Sequence, residues 1–147
     1  MTRRLTIGRW TVSAILLAIA GVGLALVGIY FLFVRPPLLP EDVRYIGLSA
    51  DELAGVRPAL ELWLSHVFRV MGGYILSTGV LTVTLAATAY CGHSRMAFFG
   101  ALLAGASSIG LMSYVNFSIA SDFRWLLLGM ALIWALSLVM FWVEDNR

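Results

Sequence analysis

The stretch Trp10–Val34, WTVSAILLAIAGVGLALVGIYFLFV, contains no charged residue and no proline. A hydrocarbon core about 30 Å thick needs roughly 20 such residues in a helix, so this stretch is long enough to cross a bilayer. The basic tail before it, MTRRLTIGR, gives it the outline of a secretory signal, and Ala18, Ile19 and Ala20 mimic a cleavage site. The apolar run nevertheless continues through Gly21 to Val34, past the roughly 7 to 15 residues of a cleavable segment. An uncleaved signal anchor is the expectation.

Three more apolar runs follow, giving expected spans at 10–34, 70–90, 96–120 and 125–143. The fold class expected is an all-α integral membrane protein: an antiparallel four-transmembrane-helix bundle with a partly helical long first outer loop, residues 1–147 forming a single membrane domain. Composition agrees, because 61% of residues are hydrophobic and only 12% charged, with a mean hydropathy of +0.91. Soluble domains carry about 25% charge, and a soluble fold has no interior large enough to hide this much apolar surface.

Residues 35–69 form the outer loop and a helix extension. Pro36, Pro37 and Pro40 end the first helix, since proline lacks the amide the helical ladder requires. Pro40, Glu41 and Asp42 can start one helical turn, Gly47 can end it, and Ser49 and Glu52 have capping-box spacing for a second. Leu38, Leu39, Val43, Ile46 and Leu48 supply an apolar side on which the loop can lie against the bundle. Pro58 suits the first turn of a helix that meets no breaker before Cys91 and Gly92. Such a helix of about 33 residues is about 50 Å long, so its first turns, with Glu61, Trp63, His66 and Arg69, should rise from the membrane surface.

Arg3, Arg4 and Arg9 place the amino terminus in the cytoplasm by the positive-inside rule, and four spans return the carboxyl terminus to the same side. Trp10, Trp125 and Trp142 fall at span ends, where aromatic belts form. The basic residues are ten arginines with no lysine, which points to a GC-rich bacterium and to its inner membrane. They are scattered rather than gathered into the basic stripe that phosphate binding needs, so nucleic acid is not expected as a partner. Membrane lipids are, together with a homo-oligomer or a larger membrane complex.

Chemistry is sparse. One cysteine, Cys91, excludes an internal disulfide and a Cys-x-x-Cys redox pair, and with them a thiol oxidoreductase of the vitamin K epoxide reductase type. Zinc needs three or four ligands, yet the two histidines, His66 and His93, are expected on opposite sides of the membrane. No serine sits in a nucleophile elbow, and Glu61 and His66, five residues apart, do not share a helical face. No cofactor, metal site or catalytic residue is expected. The middles of the spans lack ionisable residues, which argues against a transport path.

Two sets of residues stand out. Gly72, Gly79 and Ala86 recur every seven residues, Gly73, Ser77, Thr84 and Thr88 follow beside them, and Gly100, Ala104 and Ser108 recur every four. Small residues at such spacings let helices approach closely in lipid; Gly21, Ala25 and Gly28 can do the same on the first span. The second set lies at the expected outer ends: His66, Arg69, Tyr114, Asn116, Asp122 and Arg124, with Ser113 nearby. Ionisable residues near membrane depth are functional candidates, and here they make either a polar clasp, with Asp122 pairing Arg69, or a ligand-binding pocket. The function expected is a non-enzymatic accessory or structural membrane protein associating through its small-residue helix faces. The alternative is a lipid- or amphiphile-binding protein with a pocket at the outer ends of spans two and three.

Overall fold

A computed structural model describes residues 10–47 and 49–146. The tail with Arg3, Arg4 and Arg9, and Leu48 in the loop, lie outside the described residues. Helix α1 (Val12–Phe33) starts at Thr11, whose hydroxyl accepts from the Ala14 amide. Two short helices follow, α2 (Pro40–Ile46) and α3 (Ala50–Ala54). Gly47 ends α2 with a φ of 71°, a left-handed conformation that costs glycine nothing. Ser49 and Glu52 cap α3 reciprocally, and the hydrogen bonds from the Ser49 hydroxyl and amide hold the Glu52 carboxyl below its usual range.

Helix α4 (Arg57–Leu85) continues through a π-helical turn, Ala86–Tyr90. Helix α5 (Arg95–Gly105), a second π turn (Ala106–Gly110) and α6 (Leu111–Ser118) make one continuous rod, and α7 (Arg124–Asp145) completes the chain. No strand occurs among the described residues. Four helices are long and apolar enough to cross a membrane: Val12–Phe33, Arg57–Tyr90, Arg95–Ser118 and Arg124–Asp145. The second is 34 residues long and the fourth runs on to Asp145. Leu81 is 68% exposed and Met96 82%, an apolar exterior suited to lipid and consistent with an integral membrane protein.

Helices α1 and α4 make the most extensive pairing of the bundle, and glycine is the reason. A Cβ added at Gly72 would lie 2.9 Å from the Leu32 nitrogen and 3.0 Å from the Gly28 oxygen; one at Gly79 would lie 2.7 Å from the Gly21 oxygen and closer still to Ala25. The two backbones therefore touch, the close packing that lipid-embedded helices use when burial supplies no drive. Ala86 is fully buried in a cluster with Ala14, Leu17, Tyr90, Phe98 and Phe141. A second cluster, Leu24, Ile109 and Leu127, packs with Trp134, whose indole N–H donates to the Ala101 carbonyl at 3.0 Å and whose ring covers Gly105.

The remaining small residues behave differently. A Cβ on Gly73 would meet nothing within 4 Å, and one on Gly100 only Leu85 at 3.9 Å. Ala104 and Ser108 are half-buried, and the buried side of α5 carries Ala97, Ala101 and Gly105 instead. Hydroxyls in the spans bond their own helices: Thr84 to the Val80 carbonyl at 2.9 Å, Thr88 to Thr84 at 2.6 Å, Ser108 to Ala104 at 2.5 Å. These groups are satisfied locally and leave no row of free donors between the helices.

Candidate functional site

Arg35 stands two residues beyond the end of α1, where the prolines redirect the chain. Its guanidinium carbon lies 3.6 Å from the centroid of Phe68 on α4 and 5.2 Å from that of Phe31 on α1. Nη2 donates to Asp42 Oδ2 at 3.1 Å, and Nη1 donates to the Pro36 carbonyl at 3.0 Å and the Pro37 carbonyl at 3.5 Å. The Arg35 side chain is only 8% exposed and that of Asp42 20%. A cation so enclosed is tolerated because it is paired, hydrogen-bonded and stacked on an aromatic face.

Asp42 performs a second task. Its Oδ2 accepts from the Leu39 amide at 2.9 Å, so the group that neutralises Arg35 also caps α2. Beside it Glu41 is 3% exposed, and its Oε1 accepts from the Ser121 hydroxyl at 3.3 Å. Ser121 Oγ in turn accepts from the Phe123 amide at 3.2 Å. Arg44 Nη2 donates to the Ala120 carbonyl at 3.4 Å, and Ala120 turns the chain between α6 and α7 with a φ of 52°. Helix α2 is thereby fastened to that turn.

Beneath it lies a cavity of about 480 Å³, within the range of small-molecule sites. Leu26, Val27, Tyr30, Phe31, Phe68, Met112 and Leu127 supply apolar wall; Arg35, Glu41, Asp42, Asn116 and Ser121 supply the polar groups. Leu26 lies seven residues before the end of α1 at Phe33, about 10 Å along the helix.

Of the residues singled out from sequence, Asn116 lines this cavity, and its side-chain amide donates to the Met112 carbonyl at 2.9 Å. His66, Arg69 and Asp122 are exposed, and no ion pair joins Arg69 to Asp122 among the described residues. Tyr114 is 71% exposed. Arg124 is half-buried, with its guanidinium 5.9 Å from the Trp125 ring. Ser113 is buried. Of these residues, Asn116 is the one that lines the cavity among the described residues. The polar group beneath the loop consists of Arg35, Glu41, Asp42 and Ser121, which sequence reasoning treated as loop and turn residues.

A second polar cluster occupies the other end of α1. Glu144 Oε1 accepts from the Val12 amide at 2.9 Å and the Ser13 amide at 3.3 Å, and Oε2 from the Ser13 hydroxyl at 2.5 Å. His93, stacked on Phe141 at 4.9 Å, brings Nε2 to 3.8 Å from the same carboxylate. A carboxylate receiving helix N-terminal amides is favourably placed, so α7 caps α1. Glu144→Ala should lower stability by about 2 kcal/mol, read as a lower melting temperature in detergent, with Glu144→Gln recovering part of the loss. An unchanged melting temperature in the alanine variant would show the cap to be dispensable.

Comparison with protein-family models, with curated proteins and with solved structures returns no match to this chain.

Proposed function

We propose that the chain is a bacterial inner-membrane protein, an antiparallel four-span bundle with both termini cytoplasmic, that binds one membrane amphiphile in the cavity beneath its first outer loop. The observation carrying this reading is the cavity itself, with apolar walls and a few buried polar groups at one end. That is the composition of sites that orient a largely apolar ligand by its headgroup. The test is native mass spectrometry of protein extracted gently from its own membranes. A discrete retained molecule is expected, lost in Val27→Trp, which fills part of the apolar space, while the melting temperature stays near that of the wild type. Retention by the filled variant would place the molecule elsewhere.

A second reading, an accessory protein associating through small-residue faces, has its own support. Gly73 and Gly129 have open space where a Cβ would stand, leaving positions at which another helix can approach. Gly72 and Gly79 are unavailable to such a partner, because α1 occupies them. A ligand-free oligomer or heterocomplex in the same experiment would favour this reading.

A further inference from the structure

The cavity's charges are not balanced. Arg35 is the one cation among its described lining residues, against two carboxylates, Glu41 and Asp42. Arg35 is committed to Asp42 and to the Pro36 and Pro37 carbonyls, with its plane against Phe68. Glu41 is left with the Ser121 hydroxyl, and among the described residues no cation lies within ion-pairing distance of it. A carboxylate buried to this degree requires donors or a cation, and one hydroxyl at 3.3 Å is a thin supply.

Glu41 shares the cavity lining with groups that suit a particular complement. Tyr30 and Phe123 both line the cavity, their ring centroids 6.0 Å apart and their planes inclined at 49°. Phe123 lies two residues from Ser121, whose oxygen bonds both its amide and Glu41. A carboxylate with aromatic faces nearby attracts an alkylammonium through charge-assisted hydrogen bonds and cation–π contact. An anionic headgroup would have to draw Arg35 away from Asp42 and stand against Glu41.

We infer that the site selects amphiphiles with an ammonium headgroup, received by the Glu41 carboxylate between Ser121 and the Tyr30 and Phe123 rings. The inference rests on the amphiphile-binding reading and adds the chemical class of the headgroup. Two sources offer that chemistry, an ethanolamine phospholipid and a single-chain amine.

The experiment measures binding of dodecylamine, dodecanol and dodecanoate to the intact protein in a neutral maltoside detergent at pH 8. All three carry the same chain. The wild type should prefer the ammonium roughly tenfold over the carboxylate, the scale of one charge-assisted hydrogen bond. Glu41→Gln should abolish most of that preference while still binding dodecanol. The wild-type ranking stands as a test even if Glu41→Gln fails to fold, and Glu41→Asp, which keeps the charge, should retain the preference. Equal binding of all three, or preference for dodecanoate, would overturn the headgroup inference and leave the cavity reading intact. Failure of all three to bind would sink both. Reconstitution in nanodiscs of mixed ethanolamine and glycerol phospholipids then identifies the source. Selective retention of the ethanolamine lipid marks a membrane lipid; retention of neither, with dodecylamine still bound, marks a single-chain amine.

Discussion

Gly79→Val is expected to be among the most destabilising single changes in the bundle, costing about 3 kcal/mol or more. Two effects oppose one another at this position. Replacing a helical glycine by a residue with a side chain usually helps, by up to about 1 kcal/mol for alanine. Here the new Cβ would stand 2.7 Å from the Gly21 carbonyl oxygen and closer still to the Ala25 backbone. These are backbone atoms, which cannot rotate away as a side-chain tip can. The clash wins, and relief requires α1 to move off α4, which also opens the contacts at Gly28 and Gly72. Gly129 supplies the control, since a Cβ there meets nothing within 4 Å; Gly129→Ala should be neutral or slightly stabilising. Thermal unfolding followed by circular dichroism in detergent distinguishes the two. A melting temperature for Gly79→Val within a degree of the wild type would mean that the helices do not approach as described.

Asp42→Asn is expected to cost about 3 kcal/mol, the low end for breaking an enclosed ion pair. For a chain of 147 residues that corresponds to a fall in melting temperature of about 10 °C. Asparagine keeps an oxygen for the Leu39 amide, so the α2 cap survives and the loss isolates the charge. What remains is Arg35, 8% exposed, with only carbonyls and aromatic faces around it. The double variant Arg35→Met/Asp42→Asn should recover most of the loss, because an apolar residue of similar length has no charge to compensate. If Asp42→Asn melts like the wild type, this pair does not fasten the loop. Increased protease cleavage between residues 35 and 57 should accompany the loss of stability.

The four apolar helices were legible from sequence because each contains a long run without charge, and length alone carries that signal. Which side of each helix faces its neighbours is not set by its apolar pattern. Helix α1 is apolar nearly all round, so periodicity gives no phase, and His66 and Arg69 on α4 were grouped with Asn116 by depth alone. Depth put them near one level of the bundle; rotation about the helix axis puts them on exposed surface. The Gly72 and Gly79 spacing did mark a close contact. Gly100, Ala104 and Ser108, equally regular, stand one position before a second fourfold row of small residues in α5, Ala97, Ala101 and Gly105, and that second row is the buried one. Arg35, Glu41 and Asp42 were read as loop charges. Three prolines immediately after a span, followed by two acids at a helix start, were the available signal that the loop folds back and brings its charges with it.

The helices also differ in length, and that inequality bears on how the protein sits in a bilayer. Helices α1 and α7 have 22 residues each, about 33 Å, so a tilt of roughly 25° matches them to a hydrocarbon layer about 30 Å thick. The rod from Arg57 to Tyr90 has 34 residues, about 51 Å, and no reasonable tilt shortens it that far. Phe68 meets Arg35 just past the end of α1, so the eleven residues 57–67 overhang, a stem about 16 Å long. Glu61, Arg57 and His66 on that stem tolerate headgroups and water, so the hydrophobic mismatch costs little. In a bilayer matched to the short helices, the long one would absorb the difference by extending beyond the hydrocarbon layer.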